Sequence, residues 1–157
     1  MNPREPYLIL GIGNYLLSDD GAGVHAARLL EADPPPETEV LTAETDFLST
    51  LPFLERCTKA LVIDAMDAGQ RPGTLYHCRS GDLAAAGPRH SLHTLGLLEA
   101  LEFLDPGLRP EVHILGIQPG QIRLSMNLSP AVAAALPQVV QAARQIVADF
   151  GSPSLTD

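Results

Sequence analysis

The chain has 157 residues, 45% hydrophobic, 18% charged and 4% aromatic, enough for one domain that buries about 70% of its unfolded surface without a disulfide or structural metal. A formal charge of −9 with no basic run argues against nucleic acid or an anionic membrane as the main partner. The two cysteines, Cys57 and Cys78, form no ligand motif and read as free thiols in a reducing compartment.

Apolar runs bounded by turn residues alternate with helix-period segments, the pattern of an α/β domain. The first strand is predicted over Tyr7 to Ile12 and the first helix over roughly Ala22 to Ala32. Asp33-Pro34-Pro35-Pro36 stops that helix, because proline lacks the N–H and clashes with the preceding turn. A strand over about Glu39 to Ala43 leads to a short helix from Phe47 to Leu54. The run "KALVIDAMDAG", with its continuous apolar centre Ala60 to Ile63, fits a strand covered on both faces, as in a parallel sheet. Gly73 to Cys78 reads as a fourth strand suited to an edge or antiparallel place.

A helix is expected from about Leu92 to Leu104, ended by Asp105-Pro106-Gly107. Glu111 to Pro119 reads as a fifth strand, and Ile122 to Met126 as a possible short sixth. Ser129 is placed as N-cap of a last helix beginning at Pro130. Pro137 is a candidate kink in that helix, which reaches about Phe150. One domain therefore spans residues 1–157, with its core at about 6–150 and a frayed tail at 151–157. The expected fold is a three-layer α/β/α sandwich with a twisted, mostly parallel sheet of five or six strands. No run approaches the roughly 18 apolar residues that would span a bilayer, and Tyr7 to Leu17 is too interrupted for a signal peptide. The expected location is the cytoplasm.

The stretch "GIGNYLLSDDGAG" first suggests a phosphate-binding turn after a strand. A dinucleotide fingerprint, however, needs a third glycine where Leu16 stands, and no Walker lysine follows. Two adjacent carboxylates, Asp19 and Asp20, oppose an anion there. In open α/β sheets ligands bind outside the carboxyl ends of the strands. If the first and third strands are neighbours, three loops converge there: that of Asp19 and Asp20, that of Asp64 and Asp67, and that of His90 and His93. Asp20 could equally be a carboxylate favoured by a helix N-terminus, and Asp67 ordinary turn chemistry. Asp64 ends a buried apolar run, where an unpaired charge is costly, so a site role is the stronger reading. His25, His77 and His113 read as core or surface histidines. Two carboxylates with an imidazole suit a borderline divalent cation such as nickel or zinc, with positions left open for water or substrate.

The segments "LGIGNYLLSDDGAGVH", "LVIDAMDAGQRPGTLY", "HSLHTLGLLEAL", "VHILGIQPGQI" and "MNLSPAV" together resemble those of nickel–iron hydrogenase maturation endopeptidases in order and spacing, from about Leu8 to Phe150. The resemblance implies an α/β protease that removes a C-terminal extension from the hydrogenase large-subunit precursor after nickel insertion. It implies metal ligation by Asp20, Asp64 and His93, with Asp20 or Asp64 as a possible general base, and prefers His93 over His90. The nickel would be supplied by the substrate, other divalent cations would be able to substitute, and the protease would act as a monomer. The chain departs from the family's Asp-Gly-Gly-type loop after the second strand, having Thr42-Ala43-Glu44-Thr45-Asp46; Glu44 or Asp46 is a candidate for contact with the site. Ser18 and Ser91 lie near the motifs, but no serine or cysteine nucleophile emerges. The alternatives are a non-catalytic chaperone that senses nickel, and a nucleotide-binding α/β enzyme.

Overall fold

Five strands form one sheet in the computed structural model, which describes residues 5–83 and 91–153. They are β1 (Tyr7–Ile12), β2 (Thr38–Glu44), β3 (Lys59–Ala65), β4 (Leu75–Arg79) and β5 (Glu111–Ile117), in the order β2-β1-β3-β5-β4. The first four in that order run parallel, and β4 pairs antiparallel with β5 at the edge. The chain thus leaves β1 towards one side for β2 and returns to the other for β3, which creates a switch point between the carboxyl ends of β1 and β3. The run Ala60 to Ile63 is wholly buried, as a strand covered on both faces requires.

Side-chain alternation along the strands sorts the core into two layers. Ile9, Leu61, Ile63, Leu115 and Ile117 face α1 (Ala22–Ala32) and the C-terminal helix. Leu8, Leu10, Ile12, Val62 and Ile114 face the opposite way. There they meet Leu54 of α2 (Leu51–Arg56) and Leu97 and Leu101 of α4 (Leu92–Leu101), α3 being a single turn at Ser80–Leu83. This is the expected α/β/α sandwich. The C-terminal helix, α5 (Pro130–Phe150), runs unbroken through Pro137. The expected short helix after β2 is a 3-10 turn at Leu48–Thr50 continuing into α2.

One expectation is corrected and one refined. Ile122 to Met126 is not a strand: the segment bends and makes one isolated bridge, Leu17 to Ser125, so among the described residues the sheet has five strands and not six. Ser129 stands at the N-cap of α5, but its hydroxyl makes no capping bond; it donates instead to Asp19 at 2.7 Å. His90 lies outside the described residues.

The loop after β1 is held by close backbone approach. Gly13 adopts φ 127°, and a Cβ there would stand 2.1 Å from the Asp20 carbonyl oxygen. Gly23, in the first turn of α1, lies so close to the sheet that a Cβ would meet the Ile63 carbonyl oxygen at 2.0 Å. These contacts press the start of α1 onto β1 and β3, and so set the height of Asp20 above the sheet.

Candidate active site

Asp20 and His93 arrive from different elements and meet. Asp20 sits in a 3-10 turn, Ser18–Gly21, immediately before α1. His93 is in the first turn of α4, whose N-cap Ser91 accepts a bond from the His93 backbone N–H at 3.2 Å. The His93 Nε2 lies 2.9 Å from Asp20 Oδ2, with both side chains about one-fifth exposed. The same Asp20 oxygen accepts the Asn14 backbone N–H at 3.0 Å. Burial pushes the Asp20 carboxyl up, but the bonds from His93 and Asn14 outweigh it and hold the group below its ordinary value. The bond to Asp20 pushes His93 above the usual imidazole value, against the opposing effect of burial and with help from the charges of Asp20 and Asp64.

Asp64 lies at the carboxyl end of β3, on the sheet face covered by α4, and is fully buried. Thr94, the residue after His93, donates its hydroxyl to Asp64 Oδ2 at 2.7 Å. Oδ1 is buried and, among the described residues, makes no hydrogen bond of ordinary geometry. Burial pushes the carboxyl up to about 6, partly offset by the nearby Ser91 and Thr94 hydroxyls and the His93 charge, while Asp20 adds to the rise. An orphaned, buried carboxylate oxygen beside an acid–imidazole pair is the kind of unsatisfied group that native structures retain for a ligand.

The three residues chosen from the sequence thus converge at the switch point, with Asp20 and His93 in direct contact and Asp64 set beneath them. Among the described residues, no group of three or more His, Cys, Asp or Glu side chains is already gathered in metal-holding geometry. Asp20 and His93 spend their facing atoms on each other. The donor set fits a borderline divalent cation, two carboxylates and one imidazole, provided the cation replaces the proton shared by Asp20 and His93.

The phosphate alternative fails on backbone accounting. A phosphate cradle needs free N–H groups, yet between Gly13 and Asp20 nearly all are spent. Gly13 donates to the Glu44 carbonyl, Asn14 to Asp20 Oδ2, Leu16 to Asn14 Oδ1 and Leu17 to the Asn14 carbonyl. Ser18 donates to Ser125, Asp19 to Gln121 and Asp20 to Leu17, each to a backbone carbonyl.

Asp19, the neighbour that sequence reasoning left without a role of its own, is an anchor. It is fully buried, and its Oδ2 accepts the backbone N–H groups of Gly120 at 2.8 Å and Gln121 at 2.9 Å. The Ser129 N–H reaches Oδ1 at 2.7 Å. With the Ser129 hydroxyl this makes four bonds from the β5–α5 connection. Adjacent carboxylates therefore divide the work: Asp19 locks two loops together, and Asp20 faces the site. No local motif marks Asp19, because its partners lie more than 100 residues away.

The remaining candidates have structural partners. Asp67 closes an Asx turn by accepting the Gly69 N–H at 3.0 Å, and also accepts from Gln118 Nε2. His25 stacks on Tyr15 with ring centroids 4.7 Å apart, its Nε2 is buried without a hydrogen-bond partner among the described residues, and burial lowers its pKa. His77 Nε2 meets His113 Nδ1 at 3.0 Å, and His113 Nε2 meets Glu111 at 3.0 Å, towards the other end of β5. Asp46 spends its carboxylate on the Ser49 N–H at 3.3 Å, and Glu44 contributes its backbone carbonyl to Gly13. Ser18 donates to the Asn127 carbonyl at 2.8 Å, and burial pushes the Cys57 thiol up to about 11, neither being the state of a nucleophile.

Comparison with known proteins gives the family of the chain. A family model described as "Hydrogenase maturation protease" matches residues 24–146. The chain is 36% identical over 136 residues to the hydrogenase expression/formation protein HupD of Rhodobacter capsulatus, an alignment covering 82% of this chain and 65% of that protein. It is 30% identical over 148 residues to the hydrogenase 2 maturation protease of Escherichia coli, covering 88% and 90%. The fold superposes on the hydrogenase maturating endopeptidase HybD from E. coli with a TM-score of 0.82 at 26% identity, covering 92% and 93% of the two chains. The [NiFe] hydrogenase maturation protease HybD from Thermococcus kodakarensis gives 0.79 at 31% identity, covering 89% and 97%. With a family match over most of its length and the same fold as solved maturation endopeptidases, the chain belongs to the hydrogenase maturation protease family.

Proposed function

We propose that this protease removes a C-terminal extension from the large-subunit precursor of a nickel–iron hydrogenase, and that it recognises the nickel already inserted there. The observation that carries the reading is the contact of His93 with Asp20 above the orphaned Oδ1 of Asp64. Among the described residues no hydrogen bond of ordinary geometry reaches that oxygen, whereas a cation brought by the substrate would satisfy it and exchange with the Asp20–His93 proton. Asp20, Asp64 and His93 would hold the precursor's nickel, and so admit only a precursor that has been loaded. Other divalent cations of similar ligand preference would compete for the same atoms.

Hydrolysis of the scissile peptide needs a base for the attacking water and a donor for the leaving amine. Asp20 or Asp64 takes the water proton and then, as the carboxylic acid, donates it to the leaving amine. Holding water and carbonyl in place supplies the rest of the advantage, through orientation and not through a covalent intermediate. We place the protein in the cytoplasm as a monomer; no helix among the described residues is long and apolar enough to cross a membrane.

The test is purified protein incubated with nickel-loaded precursor, followed by intact mass. The expected result is loss of the extension's mass, absent with nickel-free precursor. His93→Ala, Asp64→Asn and Asp20→Asn are each expected to slow processing by at least about 100-fold with an unchanged circular dichroism spectrum. Normal processing by His93→Ala would overturn the assignment.

A further inference from the structure

The loops bordering the site carry an unexplained surface. Leu16 is 54% exposed, Ile122 56%, Leu124 82% and Met126 57%. Single exposed aliphatics are ordinary, but a cluster of four on two touching segments is not. The segments touch through their backbones: the Ser125 N–H donates to the Leu16 carbonyl at 2.9 Å, and the Ser18 N–H to the Ser125 carbonyl at 2.7 Å. Asp19 clamps the base of the same pair through Gly120, Gln121 and Ser129. These apolar side chains are therefore presented on a fixed frame whose other end is Asp20, four residues from Leu16. Across the site, Leu92 precedes His93 and is 82% exposed.

The neighbouring backbone is also unspent. No N–H or carbonyl of Ile122, Arg123 or Leu124 has a partner among the described residues. A loop with both open backbone groups and open apolar side chains offers what a bound polypeptide uses for affinity and for side-chain selection.

We infer that Leu16, Ile122, Leu124 and Met126 form the docking surface for an apolar segment of the hydrogenase precursor flanking its scissile bond. The inference rests on the proposed processing function. Any polypeptide whose peptide bond reaches Asp20 and His93 must continue across what borders them, and on the Leu16 side that border is this patch. Docking there would contribute to substrate binding and leave the chemistry to the carboxylates and His93.

The test compares wild-type protein, Leu16→Asp/Leu124→Asp, and Phe103→Asp, an exposed apolar position (79%) outside the patch. Thermal melts confirm folding, and kcat and KM are measured with nickel-loaded precursor alongside a Kd from calorimetry. The expected result is a KM at least tenfold higher in the double variant with kcat within twofold, and Phe103→Asp unchanged. A conservative Leu16→Met/Leu124→Met variant should restore KM. Unchanged KM and Kd in the double aspartate variant overturn the docking surface while leaving the processing function intact. If wild type binds precursor but does not cleave it, a tenfold rise in Kd in the double variant supports the surface and overturns the processing reading. Absence of binding by wild type overturns both.

Discussion

Asp64 holds a carboxylate where water does not reach, and the protein bears the cost. Its pKa moves from 3.8 to about 6 through burial, so the folded state binds more protons than the unfolded chain between those values. Stability contributed by this group is therefore greatest below pH 4 and falls as pH rises to about 6, by a total of about 3 kcal/mol, and stays lower above it. Asp64→Asn keeps an acceptor for the Thr94 hydroxyl and removes the buried charge. At pH 7.5 the variant is expected to melt higher than wild type, by the equivalent of about 1–3 kcal/mol, and the two curves should converge near pH 4. Equal melting temperatures at both pH values would show that the oxygen is better solvated than its burial indicates. Asp64 was legible in the sequence because a carboxylate closing an apolar run has few structural excuses. His93 was separable from His90 only by resemblance, since spacing alone offers both. Asp19 was not legible at all, because a clamp made by backbone groups 101 and 110 residues away leaves no local trace.

The elements follow local rules where one rule acts alone. β1 and β3 are continuous apolar runs, and α1 ends where Asp33-Pro34 ends it. Ile122 to Met126 misled because its alternating aliphatics imitate a strand; here they face solvent, and the backbone bends between Gly120 and Asn127. Pro137 does not end α5: proline costs a helix one donor and a local clash, and the apolar face of α5 (Val132, Val139, Ala143, Ile146) is buried on both sides of it. The tightest inter-element seam is at Gly23. A methyl group there has no flexible neighbour to displace, since the atoms it would strike are the backbone oxygens of Ile63 and Ile12. Gly23→Ala is expected to cost about 3 kcal/mol or more and to reduce processing, whereas Gly107→Ala, with nothing within 4 Å, should do neither. Chemical denaturation of both variants measures this. A Gly23→Ala protein as stable as wild type would mean that α1 can lift off the sheet freely.

Across the whole molecule the two ends of the sheet carry different burdens. Asp20, Asp64 and His93 gather at the carboxyl ends of the parallel strands, while His113, Glu111, Lys59 and Phe150 make polar and ring contacts near the start of β5. Four residues of strand, roughly 13 Å at strand rise, separate His113 from the end of β5. His113→Leu is expected to lower stability by about 1–2 kcal/mol, through loss of its bonds to His77 and Glu111. Its kcat/KM on the precursor should stay within twofold of wild type. A large loss of kcat/KM without a loss of stability would connect the two ends functionally.

The Asp19 clamp also limits how such a protease can change its customer. The connection after β5 carries the exposed aliphatics, yet its backbone donors close on a carboxylate in the turn after β1. Transplanting residues 120–129 from a relative would strand a buried charge unless the incoming loop offered the same N–H groups. Residues 14–20 and 120–129 thus behave as one cassette, two distant stretches of gene that must be exchanged together.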